Sequence, residues 1–241
     1  MSDLAVIVEG QTEKTFVETL LAAHLGSRGI TTWARLPGQV APQGGVRAWP
    51  SVRAVITRTL RERRGRVCTT MFDFCGMPHE WPGRAEAVPM PSNRRGDHVE
   101  QAMIDDLAAH AGEAFQKELF IPYVQVHEFE ALLFSDVDKM AEVLAQVSPE
   151  DRGRLAARFK DILDEAGPPE AINDGWETCP SRRISGIVPR YKKPTFGPLV
   201  GGRIGLDVLR VQCPHFGQWL TRLESLGGGA EAWSSLAPRQ P

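Results

Sequence analysis

The chain has 241 residues, 42% of them hydrophobic and 24% charged, with a formal net charge of −2. That composition suits a globular protein with a sizeable core, and it excludes both a disordered chain and one coated in positive charge. No apolar run approaches the roughly 18 residues of a membrane span, and the N-terminus lacks the basic-then-apolar layout of a signal peptide, so a cytoplasmic protein without a membrane partner is expected.

In chain order, Leu4-Ala5-Val6-Ile7-Val8 is an unbroken apolar run that stops at Glu9 and Gly10. It reads as a strand buried on both faces, as in a parallel sheet. Phe16, Leu20, Leu21 and Leu25 recur at helical spacing and predict a helix over 12–25. A second strand is expected over 30–36, closed by Pro37-Gly38 and followed by a Pro/Gly/Gln-rich loop to about Trp49. A helix over 51–64 puts Val52, Val55, Ile56 and Leu60 on one face and arginines on the other, read as a solvated face. The third strand, 67–72, ends on Asp73, and the prolines that follow predict a loop to Asn93. After a helix over 97–111, a fourth strand over 120–126 contains Pro122, which predicts an edge position or an early break. It runs into His127-Glu128-Phe129-Glu130.

From Asp136 the pattern turns helical: 137–147, 149–166, 201–209 and 215–226. The expected organisation is an α/β domain over 1–135 with a mostly parallel sheet flanked by helices, a helical extension over 136–226 carrying a basic segment, and a flexible tail over 227–241. Cys68, Cys75, Cys179 and Cys213 form no C-x-x-C pair, which leaves buried thiols rather than a zinc knuckle or a disulfide framework.

Three apolar runs end in acids, and ligands of open parallel sheets sit beyond the carboxyl ends of the strands. If those strands are neighbours, Glu9, Asp73 and the pair Glu128/Glu130 converge on one edge. Converging carboxylates repel one another unless they share a cation, and hard oxygen donors favour Mg²⁺ or Mn²⁺ over zinc. Such an ion polarises phosphate and activates water. Taken singly, each acid instead reads as a charge at a helix N-terminus, Glu13 most of all. Between Glu177 and Asp207 there is no acid, while Arg182, Arg183, Arg190, Lys192, Lys193 and Arg203 are basic. Phosphate contacts would explain that segregation, as would a solvated or partner-facing patch. Tyr191 and Phe196 beside it are candidates to stack on bases. His127 reads as structural or as a proton donor or metal ligand, and Cys75 as a nucleophile only in an electropositive setting. No phosphate-binding glycine loop and no Gly-x-Ser-x-Gly elbow is present.

Val8-Glu9-Gly10-Gln11-Thr12-Glu13 at the end of the first strand, with a later strand ending in Asp73, resembles the TOPRIM fold of topoisomerases, primases and the overcoming-lysogenization-defect nucleases. The resemblance implies that Glu9 acts near the scissile phosphate, that Glu13 fits the nuclease-type pattern, and that Asp73 is the first acid of an Mg²⁺-binding Asp-x-Asp. The sequence departs from that pattern at Asp73-Phe74-Cys75, so Glu128 or Glu130 must complete the shell, or the site is weakened. Over most of its length the chain is similar to a bacterial TOPRIM-like family described as domain of unknown function 4276. The matching segments include Gly76-Met77-Pro78, His127 to Phe134, Pro180-Ser181-Arg182-Arg183-Ile184, Cys213-Pro214-His215-Phe216 and Trp219-Leu220.

The expected protein is a Mg²⁺- or Mn²⁺-dependent nuclease with catalytic Glu9 and Glu13. Its metal ligands are Glu9, Asp73, Glu128 and Glu130, and its phosphate contacts are Arg182, Arg183, Lys192 and Lys193. DNA is favoured over RNA as its partner, self-association is allowed, and resemblance implies a partner ATPase and a role in phage defence. The alternative is a non-catalytic subunit that keeps the scaffold to bind nucleic acid or an ATPase.

Overall fold

The computed structural model describes residues 2–38, 47–112, 115–172, 175 and 177–228. The apolar runs pair as a parallel sheet: β1 (Ser2–Val8) lies between β2 (Ile30–Arg35) and β3 (Val67–Asp73), and β4 (Phe120–Ile121) flanks β3. β5 (Val124–Gln125) pairs with β3 beyond β4, Phe72 opposite Val124 and Asp73 opposite Gln125. The strand expected over 120–126 is thus one edge strand interrupted at Pro122-Tyr123. Proline has no N–H to give the ladder. Thr70 bridges the break: its hydroxyl accepts the Tyr123 N–H at 2.8 Å and donates to the Tyr123 carbonyl at 2.9 Å.

β1 is unbroken in apolarity because both of its faces are covered. Leu4, Val6 and Val8 face one core and Ile7 the other, the alternation a pleated strand requires. The Ile7 side is filled by α3 (Trp49–Arg61), α5 (Ser92–Ala111) and the segment between β3 and α5, which carries the short helix α4 (Arg84–Ala87). That segment was expected as loop alone; Trp81, its ring tilted against Trp49 at 5.0 Å and edge-to-face with Phe72 at 5.1 Å, folds it onto the sheet.

The other face carries α1 (Gln11–Phe16), a π-helical turn over Val17–Leu21 and α2 (Ala22–Gly26), which together realise the expected first helix. Against them pack α6 (Val137–Leu144), α7 (Arg152–Ala166), α8 (Pro180–Ile187), α9 (Lys193–Ile204), α10 (Leu206–Gln212) and α11 (Pro214–Glu224). The expected 201–209 helix is divided at Gly205, whose φ of 86° favours glycine, and α8 and most of α9 were not foreseen. α9 contains Pro198, Gly197, Gly201 and Gly202, a poor helix by propensity. Its glycines buy proximity: a Cβ on Gly197 would stand 3.0 Å from Thr12 Cγ2 and 3.2 Å from Phe129 Cε1, and one on Gly201 3.3 Å from the Phe16 ring. α9 therefore lies directly on α1, with Lys193 at its N-terminus beside the carboxyl ends of the strands. Of the expected loop before Trp49, 39–46 lies outside the described residues, as does the expected tail from 229 onward. No described helix is long and apolar enough to cross a membrane.

Candidate active site

Because β1, β3 and β5 are neighbours, their carboxyl ends form one edge. The Glu9 amide donates to the Met71 carbonyl at 3.1 Å. Glu9 Oε2 accepts the Asp73 N–H at 3.0 Å, so the first acid is fastened to the strand that carries the second. Glu13, one turn into α1, accepts the Gly10 N–H at 2.9 Å through Oε2. It is both a cap of its own helix and a buried member of the cluster, 2% exposed. Beyond β5 the backbone turns at His127, whose φ of 73° is rare for a side chain with a Cβ. A 3₁₀ turn over Phe129–Ser135 follows.

That turn separates the two glutamates the sequence left as alternatives. Glu130 is fully buried; its Oε1 accepts the Tyr191 hydroxyl at 3.0 Å and its Oε2 lies 2.8 Å from Lys193 Nζ. Glu128 is committed to the start of α8, accepting the Ser181 N–H at 2.9 Å and the Ser181 hydroxyl at 3.1 Å. Lys193 Nζ also reaches Asp73 Oδ2 at 3.2 Å. Asp73 Oδ1 is buried with no hydrogen-bond partner among the described residues.

The electrostatics follow from four carboxylates around one ammonium. Burial, with repulsion from Asp73 and Glu13, holds the Glu9 carboxyl well above the usual range. Burial and the charge of Asp73 push Glu13 to about 7, and burial pushes Glu130 to about 7 despite Lys193. Asp73 is raised by burial against the pull of Lys193. Burial works against charge on Lys193, but Asp73, Glu130, Glu128 and Glu13 outweigh it and hold the amine protonated. One ammonium leaves the edge short of positive charge, and protons make up the difference. A hard divalent cation fits this donor set: every donor is a carboxylate oxygen, and Asp73 Oδ1 is unsatisfied.

The remaining expected residues are placed as follows. Arg183 is engaged by the Thr178 carbonyl at 2.9 Å and by Glu165 at 3.2 Å, Arg182 is exposed on α8, and Lys192 is exposed just before α9. Of the basic segment, Lys193 alone lies in the acid cluster. Tyr191 is no stacking platform: it is buried, with its hydroxyl spent on Glu130. Cys75 is exposed rather than buried, unlike Cys68, Cys179 and Cys213, because the chain leaves the sheet at Phe74. His127 is buried and its carbonyl accepts the Cys75 N–H at 3.1 Å. Asp97, Glu100 and His215 also bring ligand atoms within 4.8 Å of one another. That group holds a proton: contact with Glu100 raises the imidazole to about 9 despite its burial, and Glu100 also accepts the Val124 N–H. The contacts of the Tyr191 hydroxyl with Glu130 and of Ser181 with Glu128 were not foreseen, because they depend on where α8 and the segment between α8 and α9 come to lie.

Residues 8–224 match the family model described as Domain of unknown function (DUF4276). The chain belongs to this family. Among solved structures, this DUF4276 chain is similar to the C-terminal region of the OLD protein of Xanthomonas campestris pv. campestris, at 16% identity and a TM-score of 0.45, with 95% of this chain and 97% of that one covered. It is likewise similar to the C-terminal region of the Burkholderia pseudomallei OLD protein, at 14% identity and a TM-score of 0.47, with 93% and 98% covered. No curated protein matches the chain.

Proposed function

We propose that this DUF4276 protein is a Mg²⁺- or Mn²⁺-dependent nuclease whose centre is the edge formed by Glu9, Glu13, Asp73 and Glu130. The observation that carries the reading is a group of four largely buried carboxylates, from the end of β1, α1, β3 and the 3₁₀ turn, with too little positive charge among them and an orphaned oxygen on Asp73. A structural ion-pair cluster would balance its charges; this one is left to be completed.

Asp73, Glu9 and Glu130 would hold the cation, with Glu130 rather than Glu128 as the third acid because Glu128 is occupied by Ser181. Bound there, a hard cation supplies charge stabilisation for phosphate and activation of water. Glu13, the remaining acid of the edge, would take a proton from the attacking water. Lys193 keeps its proton and offsets negative charge on the same edge, while Tyr191 fixes the rotamer of Glu130. The resemblance noted in the sequence supports a phosphodiester substrate, with DNA favoured over RNA, and a role in phage defence beside an ATPase.

Two observations favour a second reading, a non-catalytic subunit that binds nucleic acid or a partner ATPase. Cys75 stands where a further acid would be expected, and Lys193 already pairs with two of the carboxylates. Incubation of the purified protein with labelled DNA and RNA in Mn²⁺ separates the two. The nuclease reading expects cleavage that Glu9→Ala abolishes. Full cleavage by Glu9→Ala, or none by the wild type with or without an ATPase partner, would overturn it.

A further inference from the structure

Phe74 follows Asp73, so the two side chains leave the edge on opposite faces of the sheet. On the Phe74 face two guanidinium groups meet one ring: Arg84 Cζ lies 3.9 Å from the ring centroid and Arg95 Cζ 5.6 Å. The arrangement is built in. Gly83 has φ 70°, and a Cβ there would stand 2.8 Å from the Ala102 methyl, so only glycine lets the chain turn this closely against α5. The turn delivers the next residue, Arg84, over the ring. Arg95 is oriented from α5 by an Nε–H bond to the Met90 carbonyl at 2.8 Å.

Arg84 pairs with no carboxylate among the described residues. Its Nε and Nη1 are buried without hydrogen-bond partners among the described residues, and no ion pair with a carboxylate engages it or Arg95 among them. Burial lowers its proton affinity, and the neighbouring charges acting on it are the Cys75 thiol and the like-charged Arg95. Both Arg84 and Arg95 are half-buried, and a stacked guanidinium that keeps part of its surface in solvent offers the donors that phosphate oxygens match. Of the residues expected to contact phosphate, Lys193 is engaged by Asp73 and Glu130 and Arg183 by Glu165, while Arg182 and Lys192 are exposed.

We propose that Arg84 and Arg95, stacked on Phe74, form a phosphate subsite for the nucleic-acid backbone, holding a phosphodiester that flanks the one delivered to the carboxylate edge. The subsite deepens the nuclease reading and rests on it for its substrate. Lys193 lies on the opposite face, where it pairs with Asp73 and Glu130.

The test is fluorescence anisotropy of a short labelled DNA duplex in EDTA, with salt varied, so that no cleavage intervenes. Relative to wild type, the double variant Arg84→Gln/Arg95→Gln is expected to bind on the order of ten-fold more weakly, with a salt slope shallower by about 1 to 2. Arg84→Lys, which keeps charge without the planar fork, should fall between the two and serves, with Arg95→Gln alone, if Arg84→Gln fails to fold. A purely structural stack would lower the melting temperature and leave the salt slope unchanged. An unaltered affinity and slope in folded variants overturns the subsite, as does wild-type protein that binds no DNA. The nuclease reading fails separately: it requires the wild type to cleave DNA in Mn²⁺ and a folded Asp73→Asn to cleave none, and full cleavage by that variant would sink it.

Discussion

Replacing Lys193 by methionine probes the charge balance of the edge without touching a carboxylate. The ammonium lies 2.8 Å from Glu130 and 3.2 Å from Asp73, pairs worth roughly 5 to 6 kcal/mol each at an effective dielectric of about 20 before desolvation is counted. Removing one partner of a buried pair costs about 3–5 kcal/mol. A third of the Lys193 side chain faces solvent, so screening reduces the expected loss to about 2–3 kcal/mol. The loss should depend on pH. Above pH 7 the wild-type Glu13 and Glu130, held near 7 with Lys193 beside them, are ionised and gain from the ammonium; below that they are protonated and gain little, and without Lys193 both keep their protons to higher pH. Urea unfolding followed by tryptophan fluorescence in EDTA should therefore show Lys193→Met destabilised by about 2–3 kcal/mol at pH 8 and by clearly less at pH 6. A loss of equal size at both pH values, or none at pH 8, would refute the reasoning.

The wild type carries a related dependence. Glu13 and Glu130 titrate higher in the folded protein than their ordinary 4.5, so the stability they contribute is complete below about 4.5 and is lost as pH rises through about 7. Melting temperatures in EDTA should fall between pH 5 and 7, and Glu13→Gln/Glu130→Gln should flatten that fall; an unchanged slope in the double variant would contradict the assigned values. Two alanines on one helix should act in opposite directions. Gly197→Ala meets Thr12 and Phe129 and should cost about 1–2 kcal/mol, whereas Gly202→Ala meets nothing within 4 Å and should gain about 0.5–1 kcal/mol of helix propensity. Equal melting temperatures for the two would remove the close-approach account of α9. Thr70→Val deletes the hydroxyl that bridges the break at Pro122 and should cost about 1–3 kcal/mol, read as a lower urea midpoint; a wild-type midpoint would show the bridge to be dispensable.

The sheet and part of the site were legible in the sequence for one physical reason: strands covered on both faces must be apolar throughout, so an acid at the end of such a run marks the edge. Glu9 and Asp73 were found that way, and the parallel order of β1, β3 and β5 brings them together. Glu128 and Glu130 could not be told apart, because the decision falls to a left-handed His127 and a 3₁₀ turn that no periodicity announces. Lys193 looked like one more member of a basic run. Its role is set by α9, a helix that propensity argues against and that exists because glycines let it rest on α1. Arg84 lay in a proline-rich stretch whose folding depends on Trp81 reaching Phe72 and Trp49 across the chain.

All of these assignments depend on the carboxylate edge having been assembled for a cation. Titration of Mn²⁺ into the metal-free protein, followed by calorimetry at pH 7.5, a value set about half a unit above the Glu13 and Glu130 midpoints, measures that directly. The account predicts saturable binding with proton release, abolished in Asp73→Asn and retained in Glu128→Gln. Equal Mn²⁺ uptake by Asp73→Asn, or none by the wild type, would contradict it.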